Sequence, residues 1–124
     1  PRSTLFPYTT LFRSDFFSTG CGPCKNAIPH LRELGDKYAD QGLKVVVLAL
    51  DPTLDSIQSF FKDEKTLLVG FDPDKINRLA SEFNVTSIPR TLYLDADHKV
   101  VSESVGYYAG MDFTSHLVKM GINP

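Results

Sequence analysis

The sequence has no tryptophan, and only two cysteines, three histidines and two methionines in 124 residues. Two thiols are too few for a disulfide scaffold, and no second pair completes a four-cysteine zinc site. A basic excess is also missing: 13 Lys and Arg stand against 15 Asp and Glu, a net charge of −2, which leaves no electrostatic footprint for nucleic acid. No long apolar run is present; the longest aliphatic stretch, Val45 to Leu50, is far too short to span a bilayer. There is no internal repeat, linker or low-complexity segment. What remains, 42% hydrophobic and 23% charged, is ordinary for a single soluble domain large enough to bury a core.

Residues 1–14 do not begin with Met and contain no acidic residue. They have neither the apolar centre of a signal peptide nor an amphipathic period. Thr4 to Ser14 resembles the in-frame translation of a common sequencing-library adapter. The expectation is therefore a non-native, adapter-derived segment over residues 1–14, in a metagenomic fragment whose natural start is lost, and one domain over residues 15–124. Leu11 and Phe12 are apolar and fall where a first strand would begin.

The two cysteines stand together in Asp15-Phe16-Phe17-Ser18-Thr19-Gly20-Cys21-Gly22-Pro23-Cys24-Lys25. This stretch reads as a buried strand, a tight turn and a helix start. Two thiols at this spacing can close a small disulfide ring, and a helix N-terminus favours a thiolate over a thiol. Cys21, at the helix start, is expected to be the more exposed thiol, with its pKa below that of a free one. Cys24, one turn in, is expected to be shielded and within reach of the Cys21 sulfur. Gly22 and Pro23 set the turn. A CxxC is also half of a zinc site, but only three scattered histidines are available to complete one. A c-type haem attachment needs His where Lys25 stands. Two inert buried cysteines are the remaining alternative.

Along the rest of the chain, apolar residues at three- and four-residue spacing (Ala27, Ile28, Leu31, Leu34, Tyr38) predict a helix from Pro23 to about Gln41, kinked at Pro29 and ended by Gly42. Lys44 to Leu50 is a β-branched run suited to a central parallel strand. Asp51-Pro52-Thr53 would cap a helix from about Leu54 to Asp63 that turns Leu54, Ile57, Phe60 and Phe61 inward. A short strand follows at Thr66 to Val69. A helix capped by Asp72 and started by Pro73 runs to Asn84, burying Ile76, Leu79, Ala80 and Phe83. Thr91 to Asp95 and Lys99 to Gly106 are close enough for an antiparallel hairpin. Met111 to Met120 closes the chain as a helix with Leu117 and Val118 inward. This order predicts an α/β fold: a mixed central sheet, helices on both faces, an antiparallel hairpin and a C-terminal helix.

Asp15-Phe16-Phe17 followed by Cys21-Gly22-Pro23-Cys24-Lys25 resembles the active site of the thioredoxin family. Pro29 matches that family's helix proline. Ser87-Ile88-Pro89, before the strand Arg90 to Asp95, resembles its cis-proline loop. The segment between Leu50 and Val85, and the ending Leu94-Asp95-Ala96-Asp97, are more similar to the TlpA/ResA-type branch. The resemblance implies a thioredoxin fold and a thiol–disulfide oxidoreductase. Cys21 would attack a disulfide and Cys24 resolve the mixed disulfide. Asp15, six residues before Cys21, would be the buried acid that takes the Cys24 proton. Ile88 and a cis Pro89, with Gly22 and Pro23, would border the substrate. It implies no cofactor beyond the Cys21–Cys24 disulfide, and no metal. The partners would be protein dithiols or disulfides and an upstream redox protein, with no nucleic acid, and the chain would act as a monomer. The branch is usually exported to the bacterial periplasm or membrane-anchored, although a cytoplasmic location is open.

Departures are visible as well. Gly20 stands where the family usually has Trp, and Ala27 where many TlpA/ResA-type proteins have Glu. Arg90 follows the cis-proline position and reads as a solvated edge residue. His30, His98 and His116 read as incidental, and Tyr107 and Tyr108 as packing. The alternative function is a non-catalytic interaction module whose CxxC is a structural disulfide.

Overall fold

A computed structural model describes residues 10–124; positions 1–9 of the expected adapter-derived segment lie outside the described residues. Five strands form one sheet in the order β3-β2-β1-β4-β5. They are β1 (Leu11–Phe17), β2 (Leu43–Ala49), β3 (Leu68–Gly70), β4 (Arg90–Leu94) and β5 (Val100–Val105). The four α-helices among the described residues are α1 (Gly22–Lys37), α2 (Leu54–Phe60), α3 (Pro73–Glu82) and α4 (Thr114–Met120). β1, β2 and β3 run parallel, whereas β4 is antiparallel to β1 and β5 antiparallel to β4. The mixed sheet follows from the connections: helices separate the parallel strands, while a tight turn at Ala96 to His98 forces β4 and β5 to oppose each other.

Side chains alternate across each strand, so β1 feeds both faces. Phe17 joins Val45, Val47 and Tyr93 in the larger core, which α1 covers with Ala27, Ile28, Leu31 and Leu34, and α4 with Leu117 and Met120. Phe16 and Leu92 face the other way and meet Ile76 of α3. Helices therefore lie on both faces, and β1 sits at the centre of the sheet.

β1 begins at Leu11, within residues 1–14, and both Leu11 and Arg13 are buried. The folded unit thus takes in residues ahead of Asp15. α1 runs unbroken through Pro29, whose ring is solvent-exposed, but it stops at Lys37 rather than Gln41. The chain tightens into a 3₁₀ turn at Ala39–Gln41 and leaves it through Gly42 at φ 93°. That left-handed step is one glycine takes readily, and it sends Leu43 into β2.

α2 is shorter than its apolar pattern suggests. It ends at Phe60, so Phe61 turns inward beside Ile57, while Leu54 and Phe60 stay exposed. The following strand starts at Leu68 rather than Thr66. The Thr66 and Leu67 amides are already taken by Glu64 Oε2, at 3.0 and 2.9 Å. α4 starts at Thr114 rather than Met111. Asp112 Oδ1 accepts from both the amide (2.9 Å) and the hydroxyl (2.6 Å) of Thr114, a local turn that competes with helix upstream. The inward residues of that last segment are Leu117, Met120 and Ile122, whereas Val118 is exposed.

Candidate active site

The parallel pairing of β1 with β2 carries the chain to the C-terminal end of both strands at Phe17 and Ala49, where Leu50 donates its amide to the Phe17 carbonyl at 2.8 Å. There β1 gives way to a turn at Ser18–Gly20. Cys21 donates its amide to the Ser18 carbonyl at 3.0 Å, and Gly20 donates to Ser18 Oγ at 3.2 Å. Cys21 is then the N-cap of α1 in an extended conformation, and its sulfur accepts from the Cys24 amide at 3.2 Å. Pro23 occupies the first helical turn, where its missing N–H is no loss.

Cys21 and Cys24 are joined as a disulfide, with Cα atoms 5.2 Å apart. Their environments differ. Cys24 is 2% exposed and packs into the core, whereas Cys21 is partly exposed with Gly22 and Pro23 open to solvent beside it. An incoming disulfide can reach only the Cys21 sulfur directly. No acidic residue lies in the first turn of α1, so nothing on that turn opposes the helix-terminal field that favours negative charge on Cys21.

Across the sheet edge stands the loop before β4. The Ile88–Pro89 peptide bond is cis. Pro89 is buried, and Ile88 is partly exposed with its carbonyl oxygen 3.8 Å from Cys21 Sγ. In the disulfide form that sulfur has no proton, so this is a contact; in the dithiol form the Cys21 thiol can donate there. Pro89 accepts the Gly106 amide through its own carbonyl at 2.7 Å, which ties the loop to the end of β5. Arg90 is not a freely solvated edge residue. It pairs with Glu103 across the hairpin, while its Nε is buried without a hydrogen-bond partner among the described residues.

Asp15 is buried on the α1 side of β1, two residues before Phe17. Its carboxylate is well engaged. Arg13 donates from Nε to Oδ2 at 3.1 Å and from Nη2 to Oδ1 at 3.3 Å, and Thr91 Oγ1 donates to Oδ1 at 2.5 Å. A carboxylate has about four lone-pair positions, so one on Oδ2 remains unfilled by these bonds. Arg13 is itself 2% exposed, and its guanidinium carbon lies 4.2 Å from the Phe113 ring centre and 5.2 Å from that of Tyr93. The cation is thus held by one carboxylate and two aromatic faces. Tyr93 stacks on His116 at 4.5 Å, and His116 Nδ1 lies 2.6 Å from Ser102 Oγ. Burial, followed by the charges of Lys119 and Arg13, holds the His116 imidazole below its ordinary pKa; burial likewise raises Tyr93.

The sequence-derived residues Cys21, Gly22, Pro23, Cys24, Ile88 and Pro89 meet at one end of the sheet, with Asp15 in the strand that leads there. Arg13 and Thr91 escape a reading of the sequence, although Arg13 has the i, i+2 spacing that puts it on the face of Asp15. His30 lies between Tyr107 and Phe113, with ring centres 6.2 and 5.2 Å away, and no metal-binding group of three His, Cys, Asp or Glu side chains exists among the described residues.

A disulfide across a helix N-terminus, opposite a cis-proline loop on a mixed five-stranded sheet, defines a thioredoxin-type site. A family model described as Thioredoxin-like matches residues 14–100, and the chain belongs to that family. It is 27% identical over 106 residues to the thiol-disulfide oxidoreductase ResA of Bacillus cereus, covering 86% of this chain and 61% of the relative. It is 31% identical over 106 residues to the thiol-disulfide oxidoreductase YkuV of Bacillus subtilis, covering 82% of this chain and 60% of that relative. The chain therefore spans about three-fifths of the length of these curated relatives. Among solved structures, a thiol:disulfide interchange protein of Chlorobium tepidum superposes with a TM-score of 0.76 at 22% identity, covering 90% of this chain and 80% of that one. StoA of Bacillus subtilis superposes at 0.67 with 19% identity, covering 81% and 76%. At those identities the structural likeness speaks for the fold.

Proposed function

We propose that this chain is a thiol–disulfide oxidoreductase that exchanges disulfides with protein substrates through its CGPC dithiol. In the reducing direction, the Cys21 thiolate attacks one sulfur of a substrate disulfide. A Cys21–substrate bond forms, and the other substrate sulfur leaves as a thiolate that takes up a proton. Cys24 then loses its proton and attacks the Cys21 sulfur. The second substrate thiol is released, and the Cys21–Cys24 disulfide remains. Two electrons have passed from the dithiol to the substrate, and an upstream redox protein returns them.

The observation that carries this reading is the asymmetry of the pair: one sulfur open at a helix N-terminus, the other buried behind it. A merely structural disulfide has no need of an open sulfur facing a loop edge. Asp15 is the candidate acceptor of the Cys24 proton, through the lone pair left on Oδ2. Ile88 and Pro89, with Gly22 and Pro23, form the border against which an extended substrate segment would lie. The family resemblance extends the proposal to an exported or membrane-anchored extracytoplasmic protein acting as a monomer without added cofactor. No helix among the described residues is long and apolar enough to cross a membrane.

Reduction of a protein disulfide by dithiothreitol tests the reading. The chain should accelerate it, Cys21→Ser should abolish the acceleration, and Cys24→Ser should accumulate a mixed disulfide with substrate. Full activity in Cys21→Ser would overturn the assignment. A wild-type chain with an intact disulfide and no acceleration would favour the interaction module with a structural CxxC.

A further inference from the structure

Asp51 lies just beyond the end of β2, where the sequence suggests only a cap for the next helix. It does not cap α2: Thr53 holds that position, and no side chain caps it. Instead Asp51 is 5% exposed, and its carboxylate is turned toward the turn that precedes the dithiol. The Thr19 amide donates to both its oxygens, at 3.1 and 3.2 Å, and Thr19 Oγ1 donates to Oδ2. Ser56 Oγ completes the set at 3.2 Å. Among the described residues, three of these four bonds go to one residue, Thr19, two positions before Cys21.

The rest of the turn has little to hold it. Gly20 is exposed, and a Cβ built there would meet only Ser18 Oγ, at 3.7 Å. No aromatic side chain stands at position 20 to wall the sulfur. Ser18 braces the turn only from within, through its carbonyl to Cys21 and its hydroxyl to Gly20. The fixed point outside the turn is Asp51, anchored by the β1–β2 ladder through Leu50 and Phe17.

We infer that Asp51 is a positioning residue for Cys21. By gripping Thr19 it sets where the turn delivers the N-cap, and so keeps the Cys21 sulfur on the Cys24 amide and opposite the Ile88 carbonyl. It touches neither sulfur nor substrate. This rests on the reading of Cys21 as the reactive thiol. A buried carboxylate with charge-assisted bonds to a backbone amide is a stiff tether, and a reactive group is only as well placed as the groups that hold it.

The test is alkylation of the reduced chain by iodoacetamide as a function of pH, in which the Cys21 sulfur displaces iodide. It is read beside the thermal midpoint, in wild type, Asp51→Ala, Asp51→Asn and Thr19→Val. In Asp51→Ala the pH at which Cys21 becomes reactive should rise, and the rate at pH 6 should fall by about fivefold, the size of effect a helix N-terminus exerts on a charge. Asp51→Asn, which keeps an acceptor for the Thr19 amide, should recover part of the loss. Thr19→Val keeps the amide bonds and loses the hydroxyl, so it should lie between wild type and Asp51→Ala; it decides the matter if Asp51→Ala does not fold. Glu64→Gln, far from the turn, is the control: its midpoint falls while its alkylation profile stays that of wild type. If Asp51→Asn and Thr19→Val lose stability like that control but keep the wild-type alkylation profile, Asp51 merely stabilises the fold and the inference fails. The readout needs no protein substrate. A wild type that fails to catalyse exchange would sink the proposed function and leave this test intact.

Discussion

Arg13 Nε donates to Asp15 Oδ2 at 3.1 Å from two positions earlier on the same strand, with both side chains buried beneath α1 and α4. The pair sits at the centre of the sheet, and neither partner has water to fall back on. Arg13→Met should therefore destabilise the fold well beyond an ordinary surface change. Breaking a buried ion pair from one side costs about 3–5 kcal/mol. The Thr91 bond to Asp15 and the methionine's own apolar bulk should keep the loss toward the lower figure. Urea unfolding at pH 7 measures it, and a loss below about 1 kcal/mol, the level of an exposed pair, would show that the buried pair contributes no more than a surface one.

Removing the other partner tests chemistry. Asp15→Asn keeps the shape and an acceptor for Thr91, yet its neutral amide cannot take a proton from Cys24. Resolution of the mixed disulfide at neutral pH should slow by about tenfold, below the usual range for general-base catalysis because water can partly replace the base. Stopped-flow measurement of product thiol release follows the step. An unchanged rate would remove Asp15 from the mechanism and leave it as the counter-ion of Arg13.

The sheet and the dithiol were legible because their signals are local. A β-branched run reads as β2, and Cys-Gly-Pro-Cys after Phe17 reads as a strand passing into a helix. The pairing of Cys21 with the Ile88–Pro89 loop, 67 residues away, came only through resemblance. What the sequence hid is tertiary. Leu54 and Val118 follow helical spacing yet stay exposed, and Phe60 leans one side of its ring on Phe17 and Phe61 but remains 37% exposed. Asp51 reads as a cap because aspartate often is one, and nothing nearby in sequence says that Thr19 is its partner. Arg13 is hidden for a similar reason: an arginine in a strand is ordinarily an exposed residue, and beside the Asp15 carboxylate it takes Phe113 and Tyr93, both distant in sequence, to make its burial tolerable.

His116 gives stability a slope near neutral pH. Burial first, then Lys119 and Arg13, depress its folded-state pKa below the unfolded value of about 6.5. Between those two values the unfolded chain binds more protons than the folded one, so stability rises with pH. The penalty is absent above pH 6.5, grows as pH falls through the unfolded value and is complete below the folded one. His116→Gln should flatten this part of the curve while lowering stability at pH 7.5, where the stack on Tyr93 and the contact with Ser102 are lost. Thermal midpoints at pH 5.5 and 7.5 suffice; an equal difference between them in wild type and variant would discount His116.

Glu64 acts in the opposite direction. Burial pushes its carboxyl up, but the bonds from Arg32 and from the Leu67 and Thr66 amides outweigh that, and its folded-state pKa lies below the ordinary value. The folded state therefore holds its proton less tightly than the unfolded chain. The resulting stability is fully present above the unfolded pKa and is lost as pH falls through the folded one. Arg32 is 43% exposed, so solvent screens its contribution to stability, whereas the two amide bonds, which also set where β3 begins, are part of the backbone turn. Glu64→Gln should lower the thermal midpoint at pH 7 and make it less sensitive to acid below pH 5. Arg32→Ala should cost less, since exposed partners contribute at most about 1 kcal/mol. Equal losses in the two variants would place the effect in the ion pair instead of the backbone cap.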